Sequence, residues 1–367
     1  MQKKIETCYL HIGLSKTGTT SLQRALAHSR GKLSKNGILY PYIGRYRTHN
    51  FIVRGLVNMP NFGLTQTSHP LSIGVRRKQT LNFQRQMNAR RSEICRIIEK
   101  EIEAFPGDVM IVSAELFDRL LDREDCRRVL EYFRKYCNNI KICVYIRNPL
   151  DFMVSLIREF IDKSSKTIEN MESLEGINTV PLNKERLSGW IDAVGLENML
   201  TIPYDRQRLI GRSTVTDFLA RTGIDGALVE IPPEEYNPSL TMNGMFVKNE
   251  MNKRAGSKGY RRLEAPYLLS LPGPRFLPSK RFADAMHKRC REDLAWLSAT
   301  FAIDLAPIDL ANGSGGHRGP WQDYFTDEVK TVLKDMLDRG RSFGSAIEEQ
   351  AFREVGEGIL SGRIFAS

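Results

Sequence analysis

The six cysteines, Cys8, Cys95, Cys126, Cys137, Cys143 and Cys290, form no Cys-x-x-Cys pair. Zinc ribbons and dithiol redox sites need that spacing, so metal ligation and a disulfide framework are both disfavoured. Cys8 and Cys143 stand in apolar runs and read as small core residues. No apolar run approaches transmembrane length, and none of signal-peptide length precedes the first predicted strand. The expectation is a chain without a membrane span in a reducing cytoplasm. There is no internal repeat and no low-complexity tract. Acidic residues are the minority, 43 Asp and Glu against 54 Lys and Arg, for a formal net charge of +11. Such an excess suits nucleic acid, a membrane surface or small polyanions. The basic residues are scattered, however, and the clusters Arg76-Arg77-Lys78 and Arg90-Arg91 are short. They read as solvated helix faces, so no nucleic-acid partner is expected and a small anionic ligand fits better.

What is present is ordinary in bulk and specific in two places. The 367 residues, 41% hydrophobic and 26% charged, suffice for one large domain or two smaller ones. Residues 8–13 read as a strand and 19–27 as a helix with Leu22, Ala25 and Leu26 inward. A short strand at 37–41 stops at Pro41. Residues 42–80 show little periodicity and include His49 and His69. A helix is predicted over 81–105, with Ile94, Ile97, Ile98, Ile102 and Phe105 on one face. The runs 108–113 and 140–146 are apolar on both faces. Helices follow at 123–136 and 149–161, the second opened by Pro149. Strands apolar on both faces and alternating with helices imply a parallel sheet covered on both sides. Residues 163–182 read as a polar loop or lid. Further helices are predicted at 185–194, 214–222, 245–252, 282–301 and 327–339, with a last strand at 199–203.

The first specific place is Ile12-Gly13-Leu14-Ser15-Lys16-Thr17-Gly18-Thr19-Thr20-Ser21. A strand ends in glycine, a small-residue loop holds one lysine, and a helix begins. Amides of a first helical turn and the helix dipole attract anions together, and Lys16 adds a full charge. The spacing of Gly13 and Gly18 is that of Walker A, but Thr19 stands where Walker A has its lysine. That argues against an ordinary ATPase or GTPase.

The second place is Ile146-Arg147-Asn148-Pro149, with Ser155 on the helix that follows. An arginine at the carboxyl end of a parallel strand faces the ligand edge of the sheet. Guanidinium with a nearby hydroxyl is a good phosphate clamp.

Taken together, the two motifs resemble the PAPS-dependent sulfotransferases (PAPS is 3′-phosphoadenosine 5′-phosphosulfate). That family carries Lys-[Ser/Thr]-Gly-[Thr/Ser]-[Thr/Ser] for the 5′-phosphosulfate and Arg-[Asn/Asp]-Pro followed by a serine for the 3′-phosphate. The look is nearest to bacterial members and to the Golgi glycosaminoglycan enzymes, without the membrane anchor of the latter. Ile111-Val112-Ser113-Ala114-Glu115 and Asn237-Pro238-Ser239-Leu240 also look familiar for bacterial members. His317-Arg318-Gly319-Pro320-Trp321 echoes a C-terminal cofactor segment only faintly; an aromatic cap on the last helix fits it better. The resemblance covers roughly residues 7–240. It implies a three-layer, P-loop NTPase-like α/β fold, with a central parallel sheet flanked by helices and a helical C-terminal extension. Residues 1–240 would form the PAPS-binding core, 42–80 and 163–182 acceptor-side loops, and 241–367 the extension.

By the same resemblance Lys16, Thr17, Gly18, Thr19, Thr20 and Ser21 hold the 5′-phosphosulfate, and Arg147 and Ser155 the 3′-phosphate. PAPS would be the donor, PAP the product, and no metal is expected. The acceptor would be a hydroxyl or amine of a carbohydrate or small polar metabolite, and it needs a general base. His49, in the long loop after strand two, and Glu115, at a strand end on the ligand side, are the candidates, with His49 favoured. His11 reads as structural. A nucleotide kinase or NTPase is disfavoured by the misplaced lysine and by the absence of an acidic residue after Ile146. A non-catalytic polyanion-binding protein fits the net charge but is disfavoured by intact Lys16, Arg147 and Ser155. Oligomeric state is left open.

Overall fold

The computed structural model describes residues 4–42, 48–57, 91–120, 122–173, 176–177, 182–231, 240–257, 265–305, 318–338 and 343–365. His69, Arg76-Arg77-Lys78, Asn237-Pro238-Ser239, His317, most of 42–80 and part of 163–182 lie outside them. The chain divides into two units. The first comprises Met1–Arg147, Pro181–Glu234 and Glu292–Leu305; the second comprises Asn148–Val180, Glu235–Arg291 and Ala306–Ser367.

The first unit is built on β1 (Ile5–Ile12), β2 (Ile38–Leu39), β3 (Val109–Ala114), β4 (Cys137–Ile146) and β5 (Met199–Pro203). All pairings are parallel and the order is β2-β3-β1-β4-β5. Its helices are α1 (Thr19–His28), α2 (Arg30–Lys35), α3 (Asn50–Leu56), α4 (Arg91–Ala104) and α5 (Arg123–Arg134). The strand alternation sorts side chains into two cores. Cys8, Leu10 and Ile12 of β1 and Ile140, Ile142, Val144 and Ile146 of β4 join one cluster with Val129, Leu130 and Phe133 of α5. Cys143 and Tyr145 of β4 join the other, with Leu22, Ala25 and Leu26 of α1. This is the three-layer α/β arrangement expected from strands apolar on both faces.

β1 lies between β3 and β4, in register Ile12↔Ala114 and Ile12↔Val144. The chain runs outward from β1 in both directions, which makes this edge the switch point where open α/β sheets bind ligands. The ends of β1, β3 and β4 therefore converge, and they carry Gly13, Glu115 and Arg147.

Some details differ from the sequence expectations. Ile97 is 40% exposed while Ile98 and Ile102 are buried, so the buried stripe of α4 is narrower than its isoleucines suggested. The stretch expected to be a loop from 163 to 182 contains a short helix, α7 (Ile168–Met171), capped by the Thr167 side chain accepting from the Asn170 amide. The other helices of the first unit are α8 (Asn183–Val194) and α9 (Thr214–Thr222).

In the second unit, α6 (Pro149–Lys163), α7, α10 (Met242–Ser257), α12 (Asp327–Asp338) and α13 (Ala346–Leu360) pack together; α11 (Lys280–Phe301) passes its last residues to the first unit. Buried residues lie all round α10, including Met245, Phe246, Val247 and Met251. A helix in that position loses its amphipathic stripe, and its polar side chains are hydrogen-bonded inward. Asn249 Oδ1 accepts from the Ile168 amide (2.6 Å), and Asn252 donates to the carbonyls of Ile161 and Lys166. Trp321 and Phe325 pack on Phe246, while Arg318 pairs with Glu172. The segment 318–325 thus carries an aromatic cap and a structural ion pair.

Candidate functional site

The loop after β1 is shaped by close approach. Gly13 continues the ladder by donating to the Ala114 carbonyl (3.1 Å). A β-carbon there would come within 2.5 Å of Thr19 Cγ2 and 3.3 Å of Glu115 Cγ. Only glycine lets the strand end, the helix start and Glu115 meet so closely. The hydroxyls of Thr17 and Thr19 both donate to the Leu14 carbonyl, at 2.6 and 3.2 Å. Both threonines are buried, and their hydroxyls knit the loop. Thr20 and Ser21 are exposed.

Lys16 has φ 67°, and Gly18 has φ 81°. A lysine in the left-handed region is strained by about 1 kcal/mol or more, and such residues cluster at ligand clamps. Gly18 is the N-cap of α1 and supplies no side chain; the first turn carries no acidic residue. The amides of Thr19, Thr20 and Ser21 therefore lack intrahelical partners. A cation and an uncapped helix start at a strand end make a cradle suited to a phosphate or sulfate.

Arg147 follows the last residue of β4. Its Nη1 donates to the Lys16 carbonyl (3.3 Å), and its guanidinium lies 5.8 Å from the Tyr204 ring centroid. Tyr204 is held by its amide donating to the Ile146 carbonyl (2.7 Å). The structure thus joins the arginine of the second motif to the lysine loop of the first. Ser155 is half-buried on α6, in the second unit.

The two base candidates occupy different settings. His49 is 1% exposed. Its Nδ1 accepts from the Ser113 amide (2.9 Å), which makes Nε2 the protonated nitrogen, donating to the Pro41 carbonyl (2.9 Å). The His49 amide also donates to the Ser113 carbonyl (2.9 Å). Both ring nitrogens are committed to backbone, and burial lowers the pKa to about 4. The ring pins the entry of α3 to β3 and has no lone pair left for an acceptor proton. Glu115 begins the 3-10 turn Glu115–Arg119 that follows β3 and lies half-buried beside Gly13.

Ser113 also accepts or donates through its Oγ with His11 Nδ1 (2.7 Å) and receives Gln23 Nε2 (3.1 Å). Burial lowers the His11 pKa to about 3. His11 is therefore neutral inside β1. This buried polar network beneath the loop links β1, β3 and α1.

Two residues escaped sequence reasoning. Tyr204 stands directly after β5 at the ligand edge, the rule that singled out Arg147, and could have been found by it. Thr214 packs against Gly18, where a β-carbon would lie 2.2 Å from Thr214 Oγ1. Nothing local in the sequence marks it.

No family model and no curated protein matches the chain. It is similar to the crystal structure of a sulfotransferase from Alicyclobacillus acidocaldarius, with 14% identity and a TM-score of 0.42 over 81% of this chain and 96% of that one. The sulfotransferase domain of the Synechococcus PCC 7002 olefin synthase gives 15% identity and a TM-score of 0.40, covering 83% and 97%. That of the curacin biosynthetic pathway gives 9% and 0.35, covering 83% and 100%. Likenesses this loose leave the function to the site itself.

Proposed function

We propose that the chain is a PAPS-dependent sulfotransferase that moves the sulfuryl group of PAPS to a hydroxyl or amine of a carbohydrate or small polar metabolite. The observation that carries this reading is the Arg147 to Lys16 contact, which puts an arginine and an uncapped, lysine-bearing strand-to-helix turn at the ends of adjacent parallel strands. The reading has a nucleotide with anionic groups at two ends: the 5′-phosphosulfate at residues 16–21, the 3′-phosphate at Arg147.

PAPS supplies an activated sulfuryl group whose sulfur–oxygen bond to the 5′-phosphate breaks as the bond to the acceptor forms. Lys16 and the amides of Thr19, Thr20 and Ser21 meet the charge that builds on the leaving phosphate oxygen. Because they are fixed before reaction, they need little reorganisation. Glu115 takes the acceptor proton, standing on the loop side of β3. A PAP product with both phosphates then leaves the clamp.

The test is a screen of hydroxyl and amine acceptors with purified protein and PAPS, following PAP release, with Lys16→Ala as control. PAP release that depends on acceptor and on Lys16 supports the reading. Magnesium-dependent ATP turnover in its place would return the chain to the kinase and NTPase class.

A further inference from the structure

Two successive carbonyls of the loop are held from outside it. Arg147 Nη1 donates to the Lys16 carbonyl (3.3 Å), and Thr214 Oγ1 donates to the Thr17 carbonyl (3.3 Å). In a planar trans peptide the next residue's N–H points opposite to the carbonyl. Fixing these two carbonyls therefore fixes the directions of the Thr17 and Gly18 amides, which point away from Arg147 and Thr214. A flip of either peptide would exchange an amide for a carbonyl, and a carbonyl repels an anion. Gly18, at φ 81°, has no β-carbon to bar a flip of the Thr17–Gly18 peptide.

Thr214 is itself rigidly placed. It is the first residue of α9 and is buried. Tyr145 of β4 donates its hydroxyl to Asp217 Oδ2 (2.9 Å), one turn into α9. Asp217 is fully buried, accepts the Ile210 amide at Oδ1 (3.0 Å) and pairs with Arg221 Nε (2.8 Å). Tyr145 and Arg147 are alternate residues at one strand end. β4 thus reaches the loop twice: directly through Arg147, and through Tyr145, Asp217 and Thr214.

We propose that Thr214 is a positioning residue for the anion-binding loop: its hydroxyl holds the Thr17–Gly18 peptide in the one orientation that presents the Gly18 amide to the 5′-phosphosulfate. This rests on the sulfotransferase reading and assigns it a residue outside both motifs. Thr214 touches neither the donor nor the acceptor in this role.

The experiment compares wild type, Thr214→Val and Thr214→Ser by calorimetry with PAP, by steady-state kinetics and by thermal unfolding. Valine keeps the shape and loses the hydroxyl; serine keeps the hydroxyl. Loss of one neutral hydrogen bond corresponds to about 3- to 10-fold. The expected result is PAP binding weakened by about that factor in Thr214→Val, a matching rise in KM for PAPS, an unchanged KM for the acceptor, and rescue in Thr214→Ser. Wild-type PAP affinity and PAPS KM in folded Thr214→Val overturn the role of Thr214 and leave the sulfotransferase reading standing. If the valine variant does not fold, loss of PAP affinity in folded Thr214→Ser overturns the hydroxyl's role. Absence of PAP binding by the wild type overturns the functional reading and this inference with it.

Discussion

Two segments at the same edge of the sheet use their hydrogen-bonding groups in opposite ways. Around His49 the groups are spent: the ring bonds to Ser113 and Pro41 on its two sides, and its own amide returns to Ser113. In the loop from Gly13 to Ser21 the carbonyls and buried hydroxyls are spent, on Arg147, Thr214 and Leu14, while the amides of the first turn of α1 have no cap. Burial with full satisfaction makes a strut. Strain with amides left over makes a candidate binding site. Chemical type alone did not separate them, since histidine is the commoner general base and sits in the more suggestive loop.

The sharpest break of that contrast is Glu115 against His49. Glu115→Gln keeps the shape and removes the proposed base, and turnover is expected to fall about 10²- to 10⁴-fold, with PAP affinity nearly intact. Next is Lys16→Ala, expected to lower turnover about 10²- to 10³-fold and PAP affinity much less, because its charge acts chiefly on the leaving oxygen. Arg147→Ala is expected to show the reverse split. PAP binding should weaken about 10- to 100-fold, the size of a charge-assisted hydrogen bond, with a smaller loss of turnover at saturating PAPS. Interchanged patterns for Lys16 and Arg147 mean the two ends of the clamp are assigned the wrong way round.

The smallest catalytic effect belongs to His49. Replacing it with glutamine leaves Ser113 or Pro41 unsatisfied and is expected to cost about 1–3 kcal/mol of stability, with turnover of the folded fraction within a few-fold of wild type. Its pH dependence is a second check. The unfolded chain takes up a proton near 6.5, whereas the folded chain holds His49 neutral down to about 4 and His11 to about 3. Their contribution is whole above pH 6.5 and is lost as pH falls through 6.5 toward 4 and 3. For His49 alone this amounts to roughly 3 kcal/mol, and His49→Gln should flatten that part of the profile. Turnover lost with His49 at unchanged stability would restore it as the base.

Much of this was legible locally. β5 over Met199–Pro203 and α9 over Thr214–Thr222 match the patterned residues, because alternation and an uninterrupted apolar face are local properties. Gly13, Lys16, Gly18 and Arg147 were legible because a strand end followed by special backbone is written in adjacent residues. What escaped depends on distant partners. Thr214 meets Thr17 across 197 positions, and His49 meets Ser113 across 64. No local pattern reports whether a histidine's nitrogens will be taken by backbone. α13, with glutamates interleaved among its apolar residues, gave no clean stripe and was missed.

The central claim is a clamp with two anionic ends, and the most direct measurement needs no mutant. Calorimetric titration of the wild-type chain with PAP and with 5′-AMP separates the ends, since the two ligands differ by the 3′-phosphate alone. The clamp requires one saturable PAP site and binding of 5′-AMP at least about tenfold weaker, the loss of one charge-assisted contact. Equal affinity for the two nucleotides, or no binding of PAP, contradicts it.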